Sequence, residues 1–163
     1  MGIVSTTVQR KRYDATKLRE GVVRVGFFST AKYDDGKSVA QVARWNEYGL
    51  GVPMRPFMRP AMHENKQELV DLLRSKYRQA LKDNTNTMLV LHQFGEYCKG
   101  LIQDQINNTW EPANSYLTVH GGWTRNKYTG KPVYVEGKGF NAPLRNTKIM
   151  LHSVSHQEEE IKK

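Results

Sequence analysis

A chain of 163 residues, 38% of them hydrophobic, has room for one domain with a real core, since folding at this size hides roughly 70% of the surface an unfolded chain exposes. No apolar run approaches the ~20 residues that a membrane helix needs, and Arg10-Lys11-Arg12 follow a start without an apolar core segment, so neither a membrane span nor a secretory leader is expected. The formal charge of +9 and the pI near 9.7 favour an acidic partner, nucleic acid or an acidic protein surface, through long-range attraction. That charge is regional: basic residues run from Arg10 to Lys37 and from Arg125 to Lys148, whereas Glu158-Glu159-Glu160 reverse the sign near the end. The single cysteine, Cys98, excludes an internal disulfide and, lying in an apolar helical stretch, is expected to be a buried thiol made in a reducing cytoplasm.

In chain order, residues 1–20 are polar and weakly patterned, an arm in which Val4 and Val8 could begin a strand and Ala15 to Glu20 a short helix. Val22 to Phe28 is rich in β-branched and aromatic residues and predicts a strand, with a polar loop over Ser29 to Lys37. Ser38-Val39-Ala40-Gln41 has the form of a capping box and predicts a short helix to about Tyr48, stopped by Gly49 in the left-handed conformation. Pro53 to Pro60 holds three prolines in eight residues, which argues against regular structure there.

From Ala61 to about Lys82, Met62, Leu69, Leu72, Leu73, Tyr77, Ala80 and Leu81 recur at helical spacing. A second amphipathic helix is predicted from about Thr87 to Asn107, its stripe running through Met88, Leu91, Phe94, Cys98, Leu101, Ile102 and Gln105 or Ile106. The break at Asp83-Asn84-Thr85-Asn86 makes the two a helical hairpin. Trp110 to Asn141, with five glycines and two prolines among aromatics and hydroxyls, reads as a long surface loop or a mobile hairpin over 111–141. Lys148 to Val154 reads as a closing strand, with a frayed tail over 155–163.

No catalytic constellation stands out. His63-Glu64 lacks the second histidine of a zinc helix, the five histidines are scattered without metal-ligand spacing, and His92 lies six residues before Cys98, off its helical face. Gly121-Gly122 and Gly137-Lys138-Gly139 do not join a strand to a helix with a phosphate-loop lysine, so flexibility is the simpler account. Asp34-Asp35-Gly36 is followed by Lys37 and Ser38 where a calcium loop needs further acids. No enzyme activity, cofactor or metal is therefore expected. Trp123, Arg125 and Tyr128 could stack on single-stranded bases, and the same residue types suit a protein interface.

Three segments in order carry a resemblance: Val25-Gly26-Phe27, then Ser38 to Gly49 ending in Asn46-Glu47-Tyr48-Gly49, then Arg55-Pro56-Phe57-Met58-Arg59-Pro60-Ala61-Met62. They are similar to the tailed-phage tail-component family typified by the tenth gene product of phage HK97. In that family a strand ending in V-G precedes a helix ending in N-E-F-G or N-E-Y-G and a P-x-R-P-F-x-R-P segment. Trp110-Glu111-Pro112 with Ser115 and Thr118 resembles a further W-x-P…T stretch. The late pattern P-L-x-D-T-G-x-L-x-x-S-I is matched from Pro143 to Val154, with Asn146 in place of Asp and Lys148 in place of Gly, so the tight turn expected there is remodelled.

The resemblance implies an α+β fold, a small mostly antiparallel sheet packed against a short helix and two long helices, with a long Gly-rich loop. It implies a non-enzymatic virion protein, assembled in the bacterial host cytoplasm, of the neck, head-tail joining or tail-completion group, with the tail terminator as an alternative. Its partners would be head connector or adaptor and tail tube or terminator proteins. It would form a ring of six or twelve copies, with phage DNA passing nearby and no membrane. The expected interface residues are Asn46, Glu47, Tyr48, Arg55, Phe57, Arg59, Trp123, Arg125 and Tyr128. Arg55 and Arg59 are read as planar forks for carboxylates, with Glu47 as a candidate partner within the chain or across a ring interface. A basic nucleic-acid-binding protein is the alternative of another class.

Overall fold

The computed structural model describes residues 20–28, 30–145 and 148–161, so the expected arm at the start of the chain lies outside the description. The described elements, in order, are β1 (Gly21–Phe27), α1 (Val39–Tyr48), α2 (Met58–Glu64), α3 (Lys66–Asp83), α4 (Thr87–Asn108), α5 (Tyr116–His120), β2 (Gly122–Arg125), β3 (Pro132–Val135), α6 (Ile149–His152) and β4 (Val154–Glu160). The fold is α+β, with two separate antiparallel two-stranded sheets, β1 with β4 and β2 with β3.

Helix α4 is the axis. The β1–β4 ribbon lies along it, α3 packs back on it as the second half of a helical hairpin, and α2 and α6 close its C-terminal half. Val90, Leu91, Cys98, Ile102 and Ile106 are buried at the spacing expected for one helical face. The main core gathers Ile102 and Ile106 with Val39 and Ala43 of α1, Phe57, Ala61 of α2, Met150 of α6 and Val154 of β4. Phe57 is fully buried and meets Phe27 edge to face, with ring centroids 5.9 Å apart. Burial pushes the Cys98 thiol up to about 11, so it is a packing group in its ground state.

The hairpin joint between α3 and α4 follows from its asparagines. Asn84 takes the left-handed conformation and returns its N–H to the Ala80 carbonyl, and the Asn86 side chain accepts from the Met88 N–H to cap α4. Gly49, left-handed at φ 70°, ends α1 as expected.

The structure corrects five expectations. Met58, Arg59 and Pro60 are helical, because Pro60 falls in the first turn of α2, where its missing N–H would have had no partner in any case. The long helix expected from Ala61 is broken at Asn65, whose side chain donates back to the Ala61 carbonyl at 2.9 Å. Ser38 makes no capping-box bond; it bridges to Lys32 while the Ala31 carbonyl takes the Val39 N–H. Ile149 to His152 is a helical turn, a short apolar run being ambiguous in period. The charged tail expected to fray is β4, held along β1 from Phe27 opposite Val154 to Gly21 opposite Glu160.

Lys148 stands at φ 57°, the left-handed geometry that the resembled pattern fills with glycine. A side chain there costs about 1–2 kcal/mol of local strain, partly offset by glycine's greater unfolded-state entropy. Lys148→Gly is therefore expected to raise stability by up to about 1 kcal/mol, measured by denaturant unfolding, whereas Lys148→Val should lower it; the opposite order would show the turn to be unstrained. Native Cys98 is expected to react with a thiol reagent only as fast as the protein opens, and prompt modification at neutral pH would contradict its burial.

Candidate functional site

The end of α1 and the start of α2 form a single corner, organised by Glu47. Its position on the inward face of α1, 3% exposed, brings the carboxylate to the N-terminus of α2, where backbone N–H groups lack partners. Oε2 accepts from the Phe57 and Met58 N–H groups at 2.8 and 2.9 Å, and Oε1 accepts from the Arg59 N–H at 3.0 Å and from Arg59 Nε at 2.9 Å. Arg59 also donates from its guanidinium to the Glu47 carbonyl at 2.8 Å. The carboxylate thus replaces the side-chain cap that Phe57 cannot provide, and it complements the positive end of the helix dipole. Burial pushes the Glu47 carboxyl up, but the three backbone donors and the Arg59 guanidinium outweigh it and hold the group below its ordinary value.

Arg55 is used differently. Only 7% exposed, it donates from Nε to the Pro112 carbonyl at 2.7 Å and from the other arm of its fork to the Ala113 carbonyl at 3.1 Å. The expected carboxylate partner is absent from both contacts; the fork instead ties the segment after α4 to the corner. Below it opens a cleft of about 480 Å³ lined by Tyr33, Trp45, Asn46, Asn114, Lys138 and others. Burial and the neighbouring Arg55 lower the Lys138 pKa, and Asn114 Nδ2 is buried without a hydrogen-bond partner among the described residues.

The corner's outer surface is apolar. Tyr48 carries the Arg59 guanidinium over its ring at 4.9 Å, and Tyr48, Leu50, Val52 and Met54 are all exposed along the α1–α2 loop. Leu50, Val52 and Met54 were not anticipated as surface groups. Their signal was an alternation of large apolar residues inside a Gly/Pro loop, where no helical or strand face exists to bury them.

The segment 110–141 is more ordered than a loop. Strands β2 and β3 form a hairpin whose tip is an Asx turn, Asn126 Oδ1 accepting from Tyr128 and Thr129 N–H at 2.9 and 3.0 Å. Gly121 and Gly137 serve close approach, which corrects the expectation of slack there, whereas Gly130 and Gly139 stand in open space at positive φ. A Cβ on Gly137 would lie 2.4 Å from the His120 carbonyl carbon, and the flanking backbone donates from Lys138 and Gly139 to the Thr118 and Val119 carbonyls at 3.0 and 2.9 Å. Trp123, 73% exposed, pairs edge-on with Tyr134 across the hairpin at 5.6 Å, Arg125 is exposed two residues on, and Tyr128 at the tip is 94% exposed.

Of the nine residues anticipated at an interface, Glu47, Arg55 and Phe57 are buried inside the protomer and build the corner rather than face outward. Asn46 is half-buried and anchors it, donating from Nδ2 to the Val42 carbonyl and accepting the Arg55 N–H. Tyr48, Arg59, Trp123, Arg125 and Tyr128 are exposed. The corner and the hairpin together offer exposed aromatic surface and positive charge.

Glu47→Gln is expected to lower stability by about 2 kcal/mol, as for losing hydrogen bonds to a charged acceptor, or roughly 4–8 °C in Tm for a chain of this size. Because the folded carboxyl sits below its ordinary 4.5, its contribution is complete above that value and is lost as pH falls through the folded one. The acid limb of a stability–pH profile should therefore be shallower in Glu47→Gln, and an unchanged limb would assign acid sensitivity to other carboxylates. Comparison with protein-family models, curated proteins and solved structures finds no match to this chain.

Proposed function

We propose that the chain is a non-enzymatic subunit of a tailed-phage neck or tail end, joining the head connector to the tail tube by protein contacts and closing a ring through head-to-tail interfaces. The observation that carries this reading is the Glu47 clasp. It joins the two segments with the strongest family resemblance, Asn46 to Gly49 and Arg55 to Pro60, into one rigid corner.

The exposed Tyr48–Met54 edge and the aromatic hairpin are the surfaces through which the subunit would dock, since exposed apolar groups rimmed by arginine mark interaction sites. A two-stranded hairpin packed mainly on itself is marginal in water, so β2–β3 would gain most of its order from a partner. The regional positive charge would face acidic surfaces of the connector or the DNA passing through the channel.

Purified protein is expected to be found at the head-tail junction when virions are labelled and viewed by electron microscopy, and to form a closed ring or to join one when mixed with connector or tail-tube protein. Leu50→Glu with Met54→Glu should leave the thermal transition of the monomer nearly unchanged, both side chains being exposed, and abolish joining. Absence from particles, together with retention on DNA that weakens steeply with salt, would overturn the assignment in favour of a nucleic-acid-binding protein. Limited proteolysis of the free subunit is expected to cut first at the Asn126–Lys131 tip, and docking to protect it; a tip resistant in the isolated subunit would remove the hairpin from the docking surface.

A further inference from the structure

Toward the N-terminal end of α4, away from Ile102 and Ile106 where the corner packs, the fold brings together two histidines 64 residues apart in sequence. His92 projects from α4, and His156 and Glu158 occupy alternate positions of β4, so both point to the same side of the ribbon. His92 Nδ1 lies 3.3 Å from His156 Nε2 and 2.7 Å from Glu158 Oε1, and His156 Nε2 lies 3.5 Å from Glu158 Oε2. We propose that His92, His156 and Glu158 form a binding site for a divalent transition-metal ion of the zinc class, which clips β4 to α4.

Three observations carry it. Ligands roughly 2.0–2.1 Å from a tetrahedral zinc stand about 3.3–3.4 Å from one another; the two contacts of His156 Nε2 already have that spacing, His92 Nδ1 meets the other Glu158 oxygen, and one ligand atom from each residue falls within 4.8 Å of the others, so a turn of the partly exposed Glu158 carboxylate would complete the set. The site is built: the His156 side chain is 7% exposed and occupies space made by Gly95, where a Cβ would fall 2.4 Å from its Cδ2. A glycine in the middle of α4 costs about 1 kcal/mol of helix propensity, and here it admits an imidazole. His156 is also oriented from behind, with Glu96 Oε1 3.4 Å from Nδ1 on the face away from the other ligands. A carboxylate behind a histidine whose second nitrogen faces the ion is the usual outer support of a zinc ligand. Two neutral imidazoles and a carboxylate are donors of borderline softness, suited to zinc and its neighbours rather than to magnesium or calcium. His92 and Glu158 are partly solvent-exposed, which gives the ion an entry path and a water as fourth ligand.

The test is calorimetric titration of the tag-free, chelator-stripped full chain with zinc chloride, alongside His92→Ala, whose half-exposed side chain can be removed without opening a cavity. The expected result is one saturable zinc per chain, at least tenfold weaker in His92→Ala, with zinc raising Tm in the native chain and not in the variant. Glu96→Gln should weaken zinc binding roughly tenfold while leaving the stability of the zinc-free chain nearly unchanged, a split that a merely structural glutamate would not produce. Cobalt should give the visible absorption of a tetrahedral site. No saturable binding, or binding equal in the native chain and His92→Ala, would overturn the proposal, the latter by assigning the metal to His63, His120 or His152.

Discussion

A carboxylate buried at the foot of a helix is tolerable only when each lone pair is met, and Glu47 is met four times, by three backbone N–H groups and a guanidinium. Much follows from this. The clasp fixes where α2 begins and orients it, and so places Phe57 in the core against Phe27 and Ala61 against α4. With the corner set, Arg55 is carried inward and reaches the chain after α4, tying Pro112 and Ala113 to it. Removing the carboxylate would leave three backbone N–H groups without their acceptor, whereas the exposed Arg59 guanidinium could turn to water.

Helix α4 carries the other half of the architecture. β1, β4, α2, α3 and α6 all pack on it, and its N-terminal half, under the ribbon, carries a polar seam. Along that seam stand His92, Gly95 and Glu96 opposite His156 and Glu158. Among the described residues the ribbon has two strands and no third to secure it, and β4 bears three successive glutamates whose mutual repulsion works against the pairing. The Arg24–Glu159 pair is exposed on both sides and contributes little. A metal clip at the seam would supply the cross-link that the ribbon's own composition does not.

The corner and the hairpin would divide the labour of recognition in the proposed role. The corner is rigid, capped and tied from two directions, and it presents an apolar edge with little entropy left to lose on binding. The hairpin is held at its base, where Gly121 and Gly137 let two backbone segments touch, and it projects the exposed rings of Trp123, Tyr128 and Tyr134.

Local periodicity and turn chemistry were enough for the strand at Val22, the helix ending at Gly49, the helical hairpin broken at Asn84 and most of the buried stripe of α4, while the α+β class came with the family resemblance. Residues 46–60 were legible as a unit, and the buried thiol of Cys98 likewise. What the local pattern could not carry was decided by contacts between distant segments. The inward turn of Glu47 and Arg55 depends on helix ends meeting in space. Charge at Glu158 to Glu160 argues for a frayed tail until β1 supplies a partner ladder, and apolar character at Ile149 to Leu151 argues for a strand until Lys148 turns the chain. The histidine cluster was invisible for the same reason: its ligands come from a helix and a strand at opposite ends of the fold's second half, and spacing along the chain says nothing about groups that only tertiary packing brings within a bond length of a common point.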